Sequence, residues 1–326
     1  MGRAVHLRSD ITFTVVEYPR AVRAYTEHGV VSATAQEPVT VASLRAGDEV
    51  DAVFACSRKD RLTGRSGSAY LALELRDRTG AIPGRAFRDP DFLAGRFERG
   101  DLVRVQGRVD RFRDELQLEV RAIERAETGS LDPAAFLPMA YRDLEELDGF
   151  LEHLAREVHD ADLRRLVDAF LGDEEFREAF RRAPCTRGGH HAYLGGLIEH
   201  TVAVATLVQE TCVLHPRLDS DLLMAAAILH DVGKTREFTF GAEIALSDEG
   251  ALLGHVALGQ QMVVARAGRL DGFPRERLLA LVHCILGHHG PDALPGRRFG
   301  SPEALALARL NAVDAQIKGA LEHGIQ

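Results

Sequence analysis

The chain has 326 residues, of which 45% are hydrophobic and 27% are charged. This length and composition predict a folded protein of two domains and exclude wholesale disorder. The formal net charge of −9 excludes a protein that coats duplex DNA through bulk positive charge. Because residues 37–127 carry 17 charges of each sign, the acidic excess belongs to residues 128–326.

Residues 1–36 form an N-terminal extension that we leave unassigned, with one strand-like run at residues 11–16. No uninterrupted apolar stretch follows Arg3 and Arg8, and no segment approaches the length that spans a bilayer. The four cysteines show neither a Cys-x-x-Cys pair nor a disulfide-like spacing, which favours a reducing compartment. We therefore expect a cytoplasmic protein without a membrane partner.

Short alternating apolar runs separated by Gly-containing turns fill residues 37–127. The runs are residues 50–55, 70–75, 81–87, 102–109 and 116–123. Five strands in this length predict a small β-barrel of the OB-fold type. Pro83 lies inside the third run, so that strand must be at an edge or bulged. Residues 128–142 are predicted to be a linker.

OB folds hold single-stranded nucleic acid with stacking aromatic side chains and basic loops. Residues 71–82 look like the strand-turn-strand of OB folds that bind tRNA or single strands. The aromatic candidates are Tyr70, Phe87 and Phe112, although a small barrel also needs large side chains in its core. The basic candidates are Arg58, Lys59, Arg61 and Arg65 in the first long loop and Arg111 and Arg113 in a later one.

Helical periodicity dominates residues 143–326, which predicts an all-α second domain. The amphipathic segments are residues 143–158, 160–171, 190–212, 219–230, 251–267, 274–287 and 301–322. Ser301-Pro302-Glu303 has the features of a helix start. A single interruption, residues 236–240 and 243–247 around Gly241, predicts a β-hairpin.

Histidines and aspartates recur inside these apolar helices. His230 and Asp231 end one helix, and Lys234 follows one turn later. A lone histidine in such a place is more often a satisfied core residue. Several such groups together would be costly to bury unless a cation satisfied them. We therefore predict a divalent metal site built from His200, His230, Asp231, His255, His288, His289 and Asp314.

This ordered series resembles the HD superfamily of phosphohydrolases. The segment HHAYLGGLIEHT at residues 190–201, the His-His-Gly at residues 288–290 and the OB-like domain resemble, more closely, the YhaM family of 3′-5′ exoribonucleases. That family joins an OB fold to an HD domain, so the resemblance implies this architecture over residues 37–320.

The resemblance also implies how two ions would be held. One ion would be bound by His200, His230, Asp231 and Asp314, and a second by His255, His288 and His289, with Asp231 shared. Some HD proteins bind a third ion through a Glu one turn before the first histidine, but Gly196 stands there in this chain. Manganese is favoured by the resemblance, and imidazole with carboxylate ligands also suits Fe²⁺, Co²⁺, Ni²⁺ or Zn²⁺.

Two groups of residues are expected to act on the substrate. Asp231 would bridge the ions, and Lys234 would neutralise a phosphate oxygen in the transition state. Arg187, His190 and His191 precede the first ligand helix and could contact substrate phosphate. Three further residues, His215, His283 and Glu199, are interpreted as structural or as pointing away from the ions.

These observations favour a metal-dependent 3′-5′ exonuclease that degrades single-stranded RNA or DNA to nucleoside 5′-monophosphates. One alternative is an HD phosphodiesterase or nucleotidase acting on small nucleotides, and another is a non-catalytic nucleic-acid-binding regulator. A cyclic-dinucleotide enzyme is disfavoured, because Gly290-Pro291-Asp292 replaces the Gly-Tyr-Pro signature of that branch. The choice between RNA and DNA and the formation of a homo-oligomer stay open.

Overall fold

The computed structural model describes residues 39–64, 67–127, 136–240 and 243–324. The strand-like run at residues 11–16 and Arg65 lie outside these ranges. A β-barrel is followed by a helical region, as the sequence predicts. The predicted domain boundaries themselves, at residues 36/37, 127/128 and 142/143, stay predictions.

The barrel is closed and has five strands in the order β1-β2-β3-β5-β4. All pairs are antiparallel except β3 with β5, which pair in parallel only through Gly84 with Leu118 and Arg85 with Glu119. The strands are β1 (Glu49–Thr63), β2 (Ala69–Asp77), β3 (Gly80–Ala86), β4 (Leu102–Phe112) and β5 (Glu115–Arg125). The predicted OB-type barrel is thus confirmed.

Apolar and polar side chains alternate along each strand, and this alternation gives the barrel its core. In β4, Val103, Val105 and Val109 are buried, whereas Arg104 and Arg108 point to solvent. Successive side chains of a strand point to opposite faces, so each strand gives one apolar row to the interior. The five rows meet in a core that includes Phe54, Leu71, Leu75, Leu118 and Ile123.

Three details of the barrel differ from or extend the prediction. Strand β1 continues to Thr63, so Arg58, Lys59 and Arg61 lie on a strand and not in a loop. A short helix, α1 (Pro90–Ala94), precedes β4 and was not predicted. Strand β3 lies between β2 and β5 in the closed barrel, which differs from the expected edge or bulged strand. Pro83 is tolerated because it pairs with β2 only, and the β5 pairing begins at Gly84.

The second region consists of nine further helices and one hairpin among the described residues. Their apolar faces pack into one core around residues such as Leu147, Phe170, Leu197, Leu223 and Leu281. The helices are α2 (Leu144–Arg156), α3 (Ala161–Leu171), α4 (Glu174–Arg182), α5 (Gly196–Leu214), α6 (Ser220–Leu229), α7 (Lys234–Glu237), α8 (Asp248–Ala267), α9 (Arg275–Gly287) and α10 (Pro302–His323). The hairpin is β6 (Phe238–Phe240) and β7 (Ile244–Leu246).

The helix predicted over residues 190–212 begins later, at Gly196. Gly195 has a φ of +81°, and a Cβ on Gly196 would lie 2.1 Å from the carbonyl oxygen of His191. The preceding loop therefore passes directly over the helix start, which only glycine permits. Helices α4 and α7 were not predicted. The predicted helix start at Ser301 is found, and the Ser301 Oγ accepts a hydrogen bond from the Ala304 amide.

The expectation that no segment is long enough to span a membrane is wrong for one described helix. Helix α5 is long and apolar enough by length and composition, but half of its most apolar window is buried within the protein. A core helix passes the same test, so this is weak evidence for a membrane span. The buried face of α5 packs against α2, α6 and α10.

The barrel contains a glycine whose replacement should be costly. The register of β4 with β5 shifts at Gly107, where an added Cβ would lie 2.3 Å from the Glu119 carbonyl oxygen. We expect Gly107→Ala to destabilise the barrel by about 1–3 kcal/mol, because the strands must separate. Calorimetric unfolding checks this, with Gly149→Ala in α2 as control. Gly149 has open space around it, and alanine there should stabilise the folded protein by roughly 0.5–1 kcal/mol. Equal effects of the two substitutions on stability would contradict the steric argument.

Candidate metal centre

The His230-Asp231 doublet lies in the turn between α6 and α7. The turn can approach α8 closely because a Cβ on Gly233 would lie only 2.0 Å from the carbonyl oxygen of His255. This contact brings His255, which follows a backbone kink at Gly254, next to Asp231. The doublet is fully buried, with His230 0% and Asp231 1% exposed.

One group of candidate ligands surrounds the Oδ1 atom of Asp231. The Nε2 atoms of His288 and His255 lie 3.4 Å and 3.5 Å from this oxygen. His289 joins them, because its Nε2 lies 2.9 Å from that of His255. All four ligand atoms lie within 4.8 Å of one another. The structure thus brings together Asp231, His255, His288 and His289, the residues that the sequence predicts around the second ion.

Two atoms of this group show whether its residues fit a cation. Asp231 Oδ1 and His288 Nε2 are buried and have no hydrogen-bond partner among the described residues. A buried polar atom left unpaired costs about 1–3 kcal/mol, and more if it is charged. A carboxylate oxygen and an imidazole nitrogen are the donor types that divalent transition metals prefer. The donor set thus fits a divalent ion.

The imidazoles are oriented by hydrogen bonds from their other ring nitrogen. His230 Nδ1 donates to the Ala227 carbonyl at 2.8 Å, and His288 Nδ1 donates to the Ile285 carbonyl at 2.6 Å. His255 Nδ1 donates to the Glu237 carboxylate at 3.0 Å. Such bonds fix the tautomer and direct the Nε2 lone pair at the metal. Three histidines are therefore preorganised as Nε2 ligands.

A second group contains His200, His230 and the other oxygen of Asp231. His200 Nε2 lies 3.3 Å from His230 Nε2 and 3.6 Å from Asp231 Oδ2. Asp314 does not complete this group: its Oδ2 lies 2.6 Å from Nδ1, on the other side of the His200 ring. There it clusters with His191 and His200. The structure thus brings together three of the four ligands predicted for the first ion.

Asn311 is a site residue that the sequence interpretation missed. Its side-chain oxygen lies 2.9 Å from His200 Nε2, and its amide nitrogen donates to the His288 carbonyl at 3.2 Å. Asn311 lies on α10 and thus contacts one residue of each group of histidines. The signal was its position three residues before Asp314, which places both side chains on one face of a helix.

Lys234 is buried, and its ammonium group donates to Asp231 Oδ2 at 2.6 Å. A second contact, at 3.2 Å, joins it to the sulfur of Cys185, which the sequence interpretation did not consider. Burial raises the pKa of the Cys185 thiol to about 12, so this sulfur is neutral at pH 7. Burial opposes the charge of Lys234, but the Asp231 carboxylate outweighs it and raises the lysine pKa.

The protonation states suit cation binding. Burial lowers the pKa of His200 to about 4 and that of His289 to about 3, and it also lowers the pKa of His288. These imidazoles are neutral at pH 7 and keep a lone pair for a cation. For Asp231, burial favours the protonated form, but His230 and Lys234 outweigh it and hold the pKa well below its usual range.

His191 was predicted to contact substrate, but the structure places it behind Asp314 with only 1% exposure. Its Nε2 lies 3.1 Å from Asp314 Oδ2, and its Nδ1 lies 2.9 Å from the Tyr193 hydroxyl. Tyr193 donates to Glu199 at 2.6 Å. Glu199 therefore points away from the candidate ligands, but it holds the Tyr193 hydroxyl that contacts His191. Burial opposes the charge of His191, but Asp314 and Glu199 outweigh it and raise its pKa.

The other residues predicted near the substrate occupy different environments. His190 is half-buried, with its ring 5.6 Å from the ring of His200, and burial lowers its pKa to about 4. Arg187 is exposed. His283 is structural, as expected, because its Nε2 accepts from the Gly300 amide at 2.9 Å.

The three predicted aromatic residues meet on the outside of the barrel. Phe87 and Phe112 are 57% and 59% exposed, and the Tyr70 ring lies 5.7 Å from that of Phe87. They line a concave surface of about 770 Å³. Arg85 and Arg113 lie over the rings of Tyr70 and Phe112 at 5.9 Å and 5.3 Å. We call Tyr70, Arg85, Phe87, Phe112 and Arg113 the aromatic patch.

The basic residues predicted beside the aromatics differ in their exposure and in their ion-pair partners. Arg58 is exposed and bonded to Asp60. Lys59 is 14% exposed in its side chain and is paired with Glu98, with a further bond to the Phe97 carbonyl, so it is not a free basic group. Arg61 is paired with Asp91. Arg111 is exposed near the end of β4. The sequence interpretation did not select Arg85.

Comparison with known protein families identifies one domain in the barrel region and another in the helical region. Residues 53–126 match the family model described as OB-fold nucleic acid binding domain, and residues 197–316 match the HD domain. The chain is therefore a protein that joins an OB-fold nucleic acid binding domain to an HD domain.

Two relatives match more than four fifths of the chain. The 3′-5′ exoribonuclease YhaM of Shouchella clausii (strain KSM-K16) is 29% identical over 84% of this chain and 85% of that protein. The protein of the same name from Oceanobacillus iheyensis is 28% identical over 83% and 85%. The second OB-fold domain of replication protein A from Methanococcus maripaludis, a solved structure, is 20% identical over 28% of this chain and 96% of its own, with a TM-score of 0.24. The resemblance to the YhaM family inferred from sequence is confirmed.

The metal fit can be tested without substrate. Adding Mn²⁺ at about 100 times its dissociation constant should stabilise the wild-type protein by about 2.7 kcal/mol for one site, because only the folded state holds the ligands together. His288→Ala should lose most of this gain, whereas His153→Ala, at an exposed position of α2, should keep it. Calorimetry of each variant with and without Mn²⁺ measures the effect. Full stabilisation of H288A would contradict the assignment of His288 as a ligand.

Proposed function

We propose that this protein is a metal-dependent 3′-5′ exonuclease that hydrolyses single-stranded RNA to nucleoside 5′-monophosphates. The observation that carries the proposal is the buried Asp231 carboxylate, which has ligand groups on both oxygens and an unpaired Oδ1 atom. The similarity to proteins named 3′-5′ exoribonuclease supports the choice of RNA and of the direction.

We further propose that two divalent ions bind, with manganese as the preferred metal. The two ligand groups share Asp231, so a bridging carboxylate fits their arrangement. His200, His230 and Asp231 would hold the first ion. The resemblance to the HD superfamily implies Asp314 as the fourth ligand, and this would require its carboxylate to leave its 2.6 Å contact with His200 Nδ1. His255, His288, His289 and Asp231 would hold the second. Gly196 supports the count of two, because the His191 backbone fills the space that a side chain there would need.

The bound ions would supply a water of lowered pKa and offset charge on the phosphate oxygens. Asp231 would stay ionised throughout, since Lys234 neutralises its Oδ2 atom from the buried side. We therefore assign Lys234 first to positioning Asp231 and only second to the phosphate contact predicted from the sequence. His191 would hold Asp314 in place, backed by Tyr193 and Glu199.

The aromatic patch would hold the single strand during the reaction. Bases stack on aromatic rings at about 1–3 kcal/mol each, without regard to sequence. Arg85 and Arg113 beside the rings would contact the backbone phosphates. We also propose a cytoplasmic location, because the four cysteines are free thiols and three of them, Cys56, Cys185 and Cys284, are buried.

Strand shortening tests the reaction. With Mn²⁺ and a 5′-labelled single-stranded RNA, the protein should produce a ladder that shortens from the 3′ end. Asp231→Asn should reduce the rate at least 1,000-fold (roughly 4 kcal/mol), since it removes the shared ligand. This change also leaves Lys234 without its counterion, so His289→Ala, at an exposed ligand, provides a second inactive variant with less risk to folding.

The same assay separates the alternatives. Hydrolysis of small nucleotides without strand shortening would favour the HD phosphodiesterase or nucleotidase. Binding of RNA without hydrolysis of any substrate would favour the non-catalytic regulator. A matched single-stranded DNA in a parallel reaction decides between the two polymers. Wild-type activity in both variants would refute the proposed metal centre.

The aromatic patch generates its own prediction. Phe87→Ala or Phe112→Ala should weaken binding of a single-stranded RNA by about 1–3 kcal/mol, because one stacked base is lost. The matched control is Phe92→Ala in α1, which is 67% exposed but lies outside the patch. Fluorescence anisotropy without divalent metal measures the affinity. A loss of the same size in F92A would show that exposed phenylalanines, and not the patch, determine binding.

A further inference from the structure

A cleft of about 710 Å³ lies between the barrel and the helical region. The barrel contributes Ser57, Arg76 and Arg99 to its wall, and the loop before α5 contributes Arg187, Gly188 and Ala192. Its volume is in the range of small-molecule and cofactor sites. Neither the metal centre nor the aromatic patch includes these three arginines.

The charges of the cleft favour an anion. Arg76 is half-buried, and neither Arg76 nor Arg187 has a hydrogen bond or ion pair within the described part of the chain. Arg99 contacts Glu243 at 3.5 Å, and this carboxylate is the one acidic group in the described lining. Three guanidinium groups thus face a single carboxylate. Guanidinium groups bind phosphate through paired N–H donors.

The cleft adjoins the metal centre through one short loop. Arg187, Gly188 and Ala192 line the cleft, whereas Cys185 contacts Lys234 and His191 contacts Asp314. Residues 185–192 therefore separate the cleft from the candidate ligands by the thickness of a single segment. An anion held by Arg187 would lie beside the metal centre.

The cleft is also connected to the aromatic patch. Tyr70 and Arg76 lie six residues apart on β2, so they point to the same outer face and are about 20 Å apart. A smaller depression between them is lined by Arg58, Ala72, Glu74 and Pro83, and it shares Pro83 and Arg85 with the concave surface of the patch. The outer face of β2 is thus concave from the patch towards the cleft.

We propose that this cleft binds backbone phosphates of the single strand between the barrel and the metal centre, with Arg76, Arg99 and Arg187 as phosphate ligands. The proposal rests on the proposed function and names the route by which the strand reaches the ions. Phosphate contacts are independent of base identity, so the cleft serves any sequence.

The test compares Arg76→Gln, Arg187→Gln and the double variant with Arg121→Gln, a barrel arginine paired with Glu49 outside the cleft. Binding of a 20-nucleotide single-stranded RNA is measured without divalent metal at several salt concentrations. We expect each cleft variant to bind about 5- to 10-fold more weakly. The slope of log affinity against log salt should fall by about 0.7 for each lost phosphate contact. R121Q should match the wild type.

A small chromogenic diester, bis(p-nitrophenyl) phosphate, separates this proposal from the proposed function. With Mn²⁺ its hydrolysis should be unchanged in R76Q, since Arg76 lies on the barrel and this substrate needs the metal centre alone. Unchanged RNA affinity and salt slope in R76Q/R187Q would overturn the cleft proposal, as would loss of diester hydrolysis together with RNA binding in R76Q. If the wild type hydrolyses neither substrate, the proposed function fails, and the binding data still decide whether the cleft holds phosphates.

Discussion

The burial of the Asp231 carboxylate is the constraint on which the rest of the helical region depends. An ionised carboxylate away from water costs several kcal/mol unless positive charge and hydrogen bonds compensate it. Lys234 compensates one oxygen from within the same turn, at 2.6 Å. The other oxygen faces His255 and His288 without a hydrogen-bond partner among the described residues. This half of the carboxylate, with two imidazole nitrogens beside it, therefore has the donor set that fits a divalent cation.

Two glycines allow segments that are distant in the sequence to pack closely around that carboxylate. At Gly233 and Gly196, an added Cβ would lie 2.0 Å and 2.1 Å from the backbone oxygens of His255 and His191. The first contact sets α8 against the doublet, and the second sets the loop of residues 185–191 against the start of α5. In the sequence, Gly196 is informative only as a missing Glu. In the structure it is a contact point that leaves no space for any side chain.

Periodicity and residue chemistry predicted the barrel and most of the helices, because these follow from local patterns. They also selected the histidines that the structure brings together around Asp231. Helix α4 was missed because only Phe176 and Phe180 mark its buried face in a highly charged segment. The charges of Arg58, Lys59 and Arg61 suggested a loop, but an outward-facing strand tolerates charge equally well. Cys185 reaches Lys234 through chain folding alone, and nothing in its sequence neighbourhood indicates this.

An exonuclease must advance its substrate by one nucleotide after each cleavage, so its strand contacts should not depend on which base is present. Stacking on the exposed rings of Phe87 and Phe112 meets this requirement, because every base has an aromatic face. Arginine contacts to phosphates meet it as well. Residues 37–127 carry 17 charges of each sign, and arginines line both the patch and the cleft. On the proposed path, a domain without net charge would hold a single strand through these local contacts and not through bulk attraction, which suits stepwise movement towards Asp231.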